Sequence, residues 1–397
     1  MIGSNASGKT NLIEALRILS ESAAGHPLSV ICDGSRNTAG SIRGGSIRCP
    51  QMPKNDFELG CTWEGAAYKL VYRIKVNVQG RVQVSQESLT KVYDDGKEEK
   101  IFATASKNGD YSIVQFLSDR IDDCIREIGV SANMSVLSQA VNLFPSDSKA
   151  LVNGREDAQR IIQTLKNIFF FHPETRFMRD YVRLGERKLK PDGSNLSAVL
   201  YGLCHPEIEE NNCKSDILSV IRKLPDNEIR DIAFVKTELN DVIFFLKEKY
   251  NNYPIDARQL SDGILRCLAM LVLVYSEEPG SVIVMEEMEN GIHPSRIMCF
   301  LQAVFRIARE RQITLVLTTH NPVLMDMVDE DNAEGVVICY RNRKDGSSDI
   351  QRMVDFPDYY RLAARGAVGE LARNDEFVKA IYRPQDDNRD FFSWLEK

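Results

Sequence analysis

The chain has 397 residues, of which 43% are hydrophobic and 27% charged, and a formal net charge of -7. This is the composition of an ordinary globular protein with room for two or three lobes, and it argues against a surface built mainly to hold nucleic acid. Nine cysteines occur singly, with no CxxC pair, which reads as reduced core thiols of a cytosolic protein and not as zinc ligands or a disulfide framework. There is no signal peptide, and the longest apolar stretch, around 267–275, is too short to span a bilayer, so no membrane partner is expected.

In chain order, residues 1–10 (MIGSNASGKT) come first. Gly3, Gly8, Lys9 and Thr10 fit the G-x-x-x-x-G-K-[ST] pattern of a phosphate-binding loop. Glycines let the backbone wrap closely round phosphates, and the N–H groups at a helix start form an anion nest. Lys9 is expected to reach the β- and γ-phosphates of a nucleotide, and the Thr10 hydroxyl to ligate Mg2+. A glycine-rich turn without function is the alternative, because only Met1 and Ile2 precede the loop and the usual leading strand is not there to confirm it.

A helix from Thr10 to about Ala24 follows, with Leu12, Ile13, Leu16 and Leu19 at helical spacing. Residues 33–48 form a Gly/Ser/Arg-rich surface loop, either simply solvated or facing phosphate or a partner. From 57 to 117 the period changes to two, and turns such as Asn108-Gly109 predict an antiparallel meander of four to five strands. Its polar face is expected to be exposed or covered by a partner. SVLSQAVNLF (135–144) suggests a passage from strand to helix, and a helix is predicted over Asp157–Phe169. The segment 176–190 carries Arg176, Arg179, Arg183, Arg187, Lys188 and Lys190. It is either a phosphate-backbone contact or a solvated amphipathic element.

A turn at 192–196 leads into a helix, and a second helix is predicted over Asn212–Leu224. Residues 232–236 and 242–247 predict a hairpin. LSDGILRCLAMLVLVY opens with a cap-like loop and becomes an apolar helix; SVIVMEE is a buried strand; Ser295 to about Arg309 is a helix; TLVLTTH is the next strand. VVICYR, a KDGSS turn, SDIQRMV and short helices to Lys397 complete the chain. Strand, helix and strand between 282 and 319 give the parallel α/β signal.

Four C-terminal features carry chemistry. SVIVMEE ends in two carboxylates: Glu286 is placed to help hold Mg2+, directly or through water, and Glu287 to polarise an attacking water as general base. His320 lies just past the next strand, 33 residues after Glu287, a spacing that fits an intervening helix and puts both at one carboxyl edge of the sheet. Ser261 and Gly263 open a helix and offer a second anion site. MENGIHP (288–294) adds a tight Asn-Gly turn and a proline that can begin a helix.

Gly3-x-Asn5-x-Ser7-Gly8-Lys9-Thr10, Leu260-Ser261-Asp262-Gly263, the run from Val284 to Pro294, and Thr318-Thr319-His320-Asn321-Pro322 resemble the Walker A, ABC-type signature, Walker B with D-loop, and H-loop motifs. As an ordered set they resemble the AAA15/AAA21 group of ATPases, relatives of the SMC/RecF-like and overcoming-lysogenization-defect families. DGSNL (192–196) and GAVGELARNDEF (366–377) are also similar to this group.

The resemblance implies an α/β fold: an ABC-type P-loop ATPase head with an antiparallel β-meander lobe and a helical signature lobe. Its expected segments are 1–56 (the phosphate-loop part of the core, without its first strand), 57–120 (the β lobe), 121–256 (a helical insert with a short hairpin) and 257–397 (the rest of the core). It implies ATP and Mg2+ as cofactors. Gly3, Asn5, Ser7, Gly8, Lys9, Thr10 and Asn11 would hold nucleotide, with Gln139 as the Q-loop glutamine. Lys9, Glu287 and His320 would be catalytic.

The same resemblance implies a homodimer or higher oligomer, in which Ser261 and Gly263 of one copy complete the nucleotide site of another and Asn290–His293 communicates between sites. The absent leading strand implies a start downstream of the natural one or a truncated chain. Glu286 stands where many relatives have Asp. The stretch after His320 is too short for the Toprim nuclease domain of some relatives. A cytoplasmic regulatory ATPase with a separate nuclease or toxin effector, of the kind found in bacterial anti-phage systems, is therefore expected. Direct DNA binding in repair and a slow-turnover assembly scaffold are the alternatives.

Overall fold

The structure is a computed structural model. It describes all residues except 5, 36–37, 41, 117–125, 145–148, 205–212, 225–228, 250–252, 288, 327, 329–331, 357–358, 365, 375 and 382–397. The fold is α/β, and the chain forms two compact units, one of residues 11–168 and one of residues 1–10 with 169–397.

The first unit is built on an antiparallel meander of six strands, Asp56–Glu64, Tyr68–Asn77, Gln83–Tyr93, Glu98–Asn108, Tyr111–Phe116 and Arg126–Ser131, hydrogen-bonded in sequence order. The sequence predicts four to five within 57–117; Arg126–Ser131 lies beyond that stretch, and its pairing with Tyr111–Phe116 makes it the sixth. Alternation puts Leu70, Tyr72, Ile74, Val84, Leu89, Phe102 and Val114 into the core with essentially no exposure, each such side chain contributing about 1.5–3 kcal/mol. The helix Lys9–Ala23 adds Ile18 and Leu19 to this core, and Lys149–Lys166 adds Ala158, Ile161 and Leu165.

The helix predicted to reach Phe169 ends at Lys166, and Ile168–Phe171 is a strand instead. A β-branched and aromatic run favours extended backbone, and here it finds a sheet to join. That sheet has three strands, in the order Thr314–Thr318, Val282–Glu286, Ile168–Phe171. The first two are parallel, with Val282 opposite Thr314 and Glu286 opposite Thr318, and the helix Pro294–Glu310 connects them. Met1 and Ile2 bridge between strands: Ile2 pairs in parallel with both Thr319 and Ile338.

The second unit also holds a four-stranded sheet in which Ile229–Lys236 and Asp241–Glu248 form the expected hairpin. Helices Leu196–Cys204, Cys213–Ile221 and Asp262–Ser276 pack with it around one core. Asp262–Ser276 is apolar on nearly every face and buried from Cys267 through Val274. A smaller core gathers Ile2, Ile338, Met353, Phe356, Leu362, Leu371 and Phe377 from the chain start and the C-terminal segments. Among the described residues, no helix is long and apolar enough to cross a membrane.

Candidate functional site

The phosphate loop lies in the unit of residues 1–10 and 169–397. Its glycines are required by close approach. A Cβ on Gly3 would lie 2.5 Å from the Cys339 carbonyl oxygen, and one on Gly8, whose φ is +108°, 2.5 Å from the Ser348 side chain. Ala6 also has positive φ, at 62°. The Arg341 guanidinium donates to the Ala6 carbonyl at 3.1 Å, bracing the loop from the strand Val337–Arg341.

Lys9 begins the helix that follows, and its ammonium donates to the carbonyls of Gly3 at 2.6 Å and Ser4 at 3.0 Å. Burial pushes this ammonium below its ordinary pKa, opposed by Cys339 and the carboxylates of Glu287, Glu286 and Glu289. The Ser7 hydroxyl is buried and has no hydrogen-bond partner. An orphaned donor inside a phosphate loop is what a bound anion would satisfy.

The parallel register brings the acids to this loop. Glu286 closes its strand, and the Thr10 hydroxyl donates to its Oε2 at 3.1 Å. Glu287 follows with φ +46°, in the left-handed region that costs a residue with a Cβ about 1–2 kcal/mol. Its N–H donates to the Thr318 carbonyl at 3.2 Å, and its Oε2 accepts from the Asn290 amide at 2.9 Å. His320 Nδ1 lies 3.6 Å from Glu287 Oε1. The structure thus gathers Lys9, Thr10, Glu286, Glu287 and His320 around the loop.

Thr10 and Glu286 together offer a hydroxyl and a carboxylate, hard oxygen donors of the kind Mg2+ prefers alongside substrate phosphates. The residues present fit that ion.

Ser261 caps its own helix, accepting from the Ile264 N–H at 3.4 Å. A Cβ on Gly263 would lie 2.1 Å from the Gly291 carbonyl oxygen. Asn11 and Gln139 belong to the other unit. There the Gln139 amide accepts from the Ser131 N–H at 2.9 Å and donates to the carbonyls of Ser131, Met134 and Ser135. Asn5 and Met288 lie outside the described residues.

The basic segment 176–190 is largely charge-paired. Arg179 donates to the carbonyls of Arg258 and Leu260 and to Asp262, which holds the turn before the helix Asp262–Ser276. Arg176 pairs with Glu174, Lys188 with Glu278 and Lys190 with Glu186. Two participants have no marked sequence signal. Glu289 is buried and accepts from the Thr319 hydroxyl at 2.5 Å, tying the turn after the acids to the loop that carries His320. Arg341 is the other; only its place at the end of an apolar strand hinted at it.

A family profile described as "AAA domain, putative AbiEii toxin, Type IV TA system" matches residues 1–326. No curated protein matches the chain. Among solved structures, it is similar to an Smc head bound to the C-winged helix domain of ScpA, at 11% identity over 88% of each chain with a TM-score of 0.42. It is also similar to the SMC head domain from Thermotoga maritima, at 12% identity over 88% of each chain with a TM-score of 0.33. A third is the Smc head domain with an extended coiled coil from Pyrococcus furiosus, bound to the C-terminal domain of ScpA, at 10% identity over 96% of this chain and 92% of that one, with a TM-score of 0.36. With the phosphate loop, both acids and His320 inside the matched region, the chain belongs to this family of AAA domains.

Proposed function

We propose that this chain is a Mg-dependent ATP phosphohydrolase. The observation that carries the reading is the 3.1 Å hydrogen bond from Thr10 to Glu286, because it brings the end of a phosphate loop to the first of two strand-end acids. Thr10 and Glu286 would hold Mg2+, which supplies charge neutralisation at the β- and γ-phosphates. Lys9 exchanges the carbonyls of Gly3 and Ser4 for phosphate oxygens, a charge-assisted contact of greater strength. The Ser7 hydroxyl and the N–H groups of the loop complete the cradle. Glu287, held by Asn290 and lying beside His320, accepts the proton of the attacking water. His320 keeps that carboxylate oriented through hydrolysis.

The reading extends to assembly. A helix start with Ser261 and Gly263 is an anion site that suits the γ-phosphate of a nucleotide held by a second copy, so ATP joins two copies and hydrolysis releases them. The family description names a toxin and a toxin–antitoxin system, which supports control of a separate toxin or nuclease effector, in the cytoplasm and within a bacterial anti-phage system. Direct binding of nucleic acid has less support, since Arg176, Arg179, Lys188 and Lys190 are already paired.

Light scattering of Glu287→Gln with and without Mg-ATP, beside Lys9→Ala, tests both levels. A mass that doubles with ATP only while Lys9 is present is expected. A protein that binds no ATP would overturn the enzymatic reading, and a mass indifferent to bound ATP would overturn the assembly alone.

A further inference from the structure

In the unit of residues 11–168, the meander has an open edge. The strand Asp56–Glu64 stands first in the sheet. It pairs with Tyr68–Asn77 from Asp56 opposite Asn77 to Glu64 opposite Lys69, without a break in register. Among the described residues, no strand lies on its other side. An antiparallel strand turns alternate N–H and C=O groups to each neighbour, so half of these groups on Asp56–Glu64 face outward.

Sheet edges are ordinarily blunted by short length, proline, a bulge, a lysine or an inward-pointing charge. This strand has none of these. It runs for nine residues, DFELGCTWE, with neither proline nor a basic side chain. The three pairings next to it in the sheet each contain a register shift, and its own does not. The opposite edge, Arg126–Ser131, is shorter, at six residues. There the Gln139 side chain bonds both the N–H and the carbonyl of Ser131.

The two faces of the strand specify what fits beside it. Phe57, Leu59, Cys61 and Trp63 alternate onto the core side and are only partly buried. Their counterparts on the next strand, Leu70, Tyr72, Ile74 and Val76, have essentially no exposure. The outer side carries Asp56, Glu58, Gly60, Thr62 and Glu64, and the next strand answers with bases. Lys75 lies 3.2 Å from Asp56, Arg73 3.7 Å from Glu58 and Lys69 2.6 Å from Glu64. Glu58 and Glu64 nevertheless stay 52% and 68% exposed, and a carboxylate has lone pairs for a second base. Between them Gly60 has no side chain, which leaves an open crevice of about 420 Å3 beside Glu58 and Thr62.

We propose that the Asp56–Glu64 edge is a docking site for an extended segment of another protein whose residues alternate between apolar and Lys or Arg. The segment adds one strand to the sheet. Its backbone groups meet the outward N–H and C=O groups, and its apolar side chains continue the row of Phe57, Leu59, Cys61 and Trp63. Its bases face Glu58 and Glu64, so acid and base go on alternating from strand to strand. The side chain opposite Gly60 lies across the crevice.

The same edge of a second copy does not meet these requirements. Every charged residue on the outer face of this strand is acidic, so pairing it with itself sets carboxylates beside carboxylates, which is destabilising. The proposal does not depend on the ATPase reading, since no residue of the phosphate loop takes part.

The test adds a synthetic peptide, YKLVYRIKVN, to the full chain and reads fluorescence anisotropy of the labelled peptide and amide hydrogen exchange of the protein. The peptide copies residues 68–77 and carries the required alternation. Saturable binding and slower exchange within 56–64 are expected. Replacing its Lys and Arg residues by Glu should weaken binding by at least about 10-fold. Methylating alternate backbone nitrogens of the peptide should abolish binding in one alternation and spare it in the other, because only one set of N–H groups faces the chain. Every arm uses the unaltered protein, so misfolding of a variant cannot obscure the result. No saturable binding at millimolar peptide, equal binding of the acidic peptide, or equal binding of the two methylated forms would each overturn the proposal. Faster exchange at 68–77 would do so as well, because the peptide would then be replacing the strand that it copies.

Discussion

Gly263 and Gly291 meet backbone to backbone: a Cβ on Gly263 would lie 2.1 Å from the Gly291 carbonyl oxygen. The start of the helix Asp262–Ser276 is thereby seated on the turn whose Asn290 donates to Glu287. Gly263→Ala should force the two apart, destabilising the chain by about 1–3 kcal/mol. It should also loosen Glu287 and lower ATP turnover more than ATP binding. A variant with wild-type turnover and melting temperature would show that the contact is not needed.

Glu287 carries strain as well as charge. Glu287→Gln should keep nucleotide binding and lower hydrolysis at least about 100-fold, the usual effect of losing a general base. Glu287→Gly should be equally inactive yet melt no lower than wild type, because glycine adopts φ +46° without a steric cost. A clear fall in its melting temperature would mean that the bond from Asn290 outweighs the backbone strain.

Glu87 makes the stability of the β-rich unit depend on pH. Its carboxylate is fully buried on the strand Gln83–Tyr93, and it accepts from Tyr72, Ser135 and the N–H groups of Val136 and Leu137. Burial raises its pKa to about 7 against these bonds. The folded state therefore holds a proton that the unfolded state has lost. Its contribution is fully present below the unfolded value of 4.5 and is lost as pH rises through about 7. The total is about 3 kcal/mol. Urea unfolding at pH 5, 6 and 7 should reveal this slope in the wild type, and Glu87→Gln should remove it. An unchanged slope in the variant would assign it to other groups.

Lys91 and Asp157 form a nearly buried ion pair at 2.7 Å, joining the strand Gln83–Tyr93 to the helix Lys149–Lys166. Lys91→Met should destabilise by about 3 kcal/mol, the low end for an orphaned buried charge, because Tyr68 and Arg160 still donate to Asp157. Adding Asp157→Leu should restore part of that loss. A double variant no more stable than Lys91→Met would refute the account. Denaturant midpoints of the three proteins decide it.

Glu289 is the acid whose role depends on Thr319. Thr319→Val removes the donor from a buried carboxylate that has no second partner on Oε2. It should cost about 1–3 kcal/mol and lower ATP turnover by displacing His320. Thr319→Ser, which keeps the hydroxyl, should recover most of both, and failure of that rescue would argue for lost packing instead.

The sequence by itself determined the elements whose signal is local. A glycine, lysine and threonine at fixed spacing before a helical run mark out the loop at residues 3–10. Two acids at the end of an apolar strand, and a histidine at the end of the next, share an edge once the strands are parallel, as the pairing of Glu286 with Thr318 places them. Helix periodicity and turn residues located the hairpin at 229–248 and the helix Pro294–Glu310 to within a few residues. What only the tertiary structure decided are the pairings between residues far apart in the chain. Glu289 with Thr319 and Arg341 with Ala6 leave no periodic trace, because either partner alone is an ordinary residue of its segment. The end of the helix at Lys166 belongs to the same class. Ile168–Phe171 could have continued a helix, and it is extended because a sheet edge was there to pair with it.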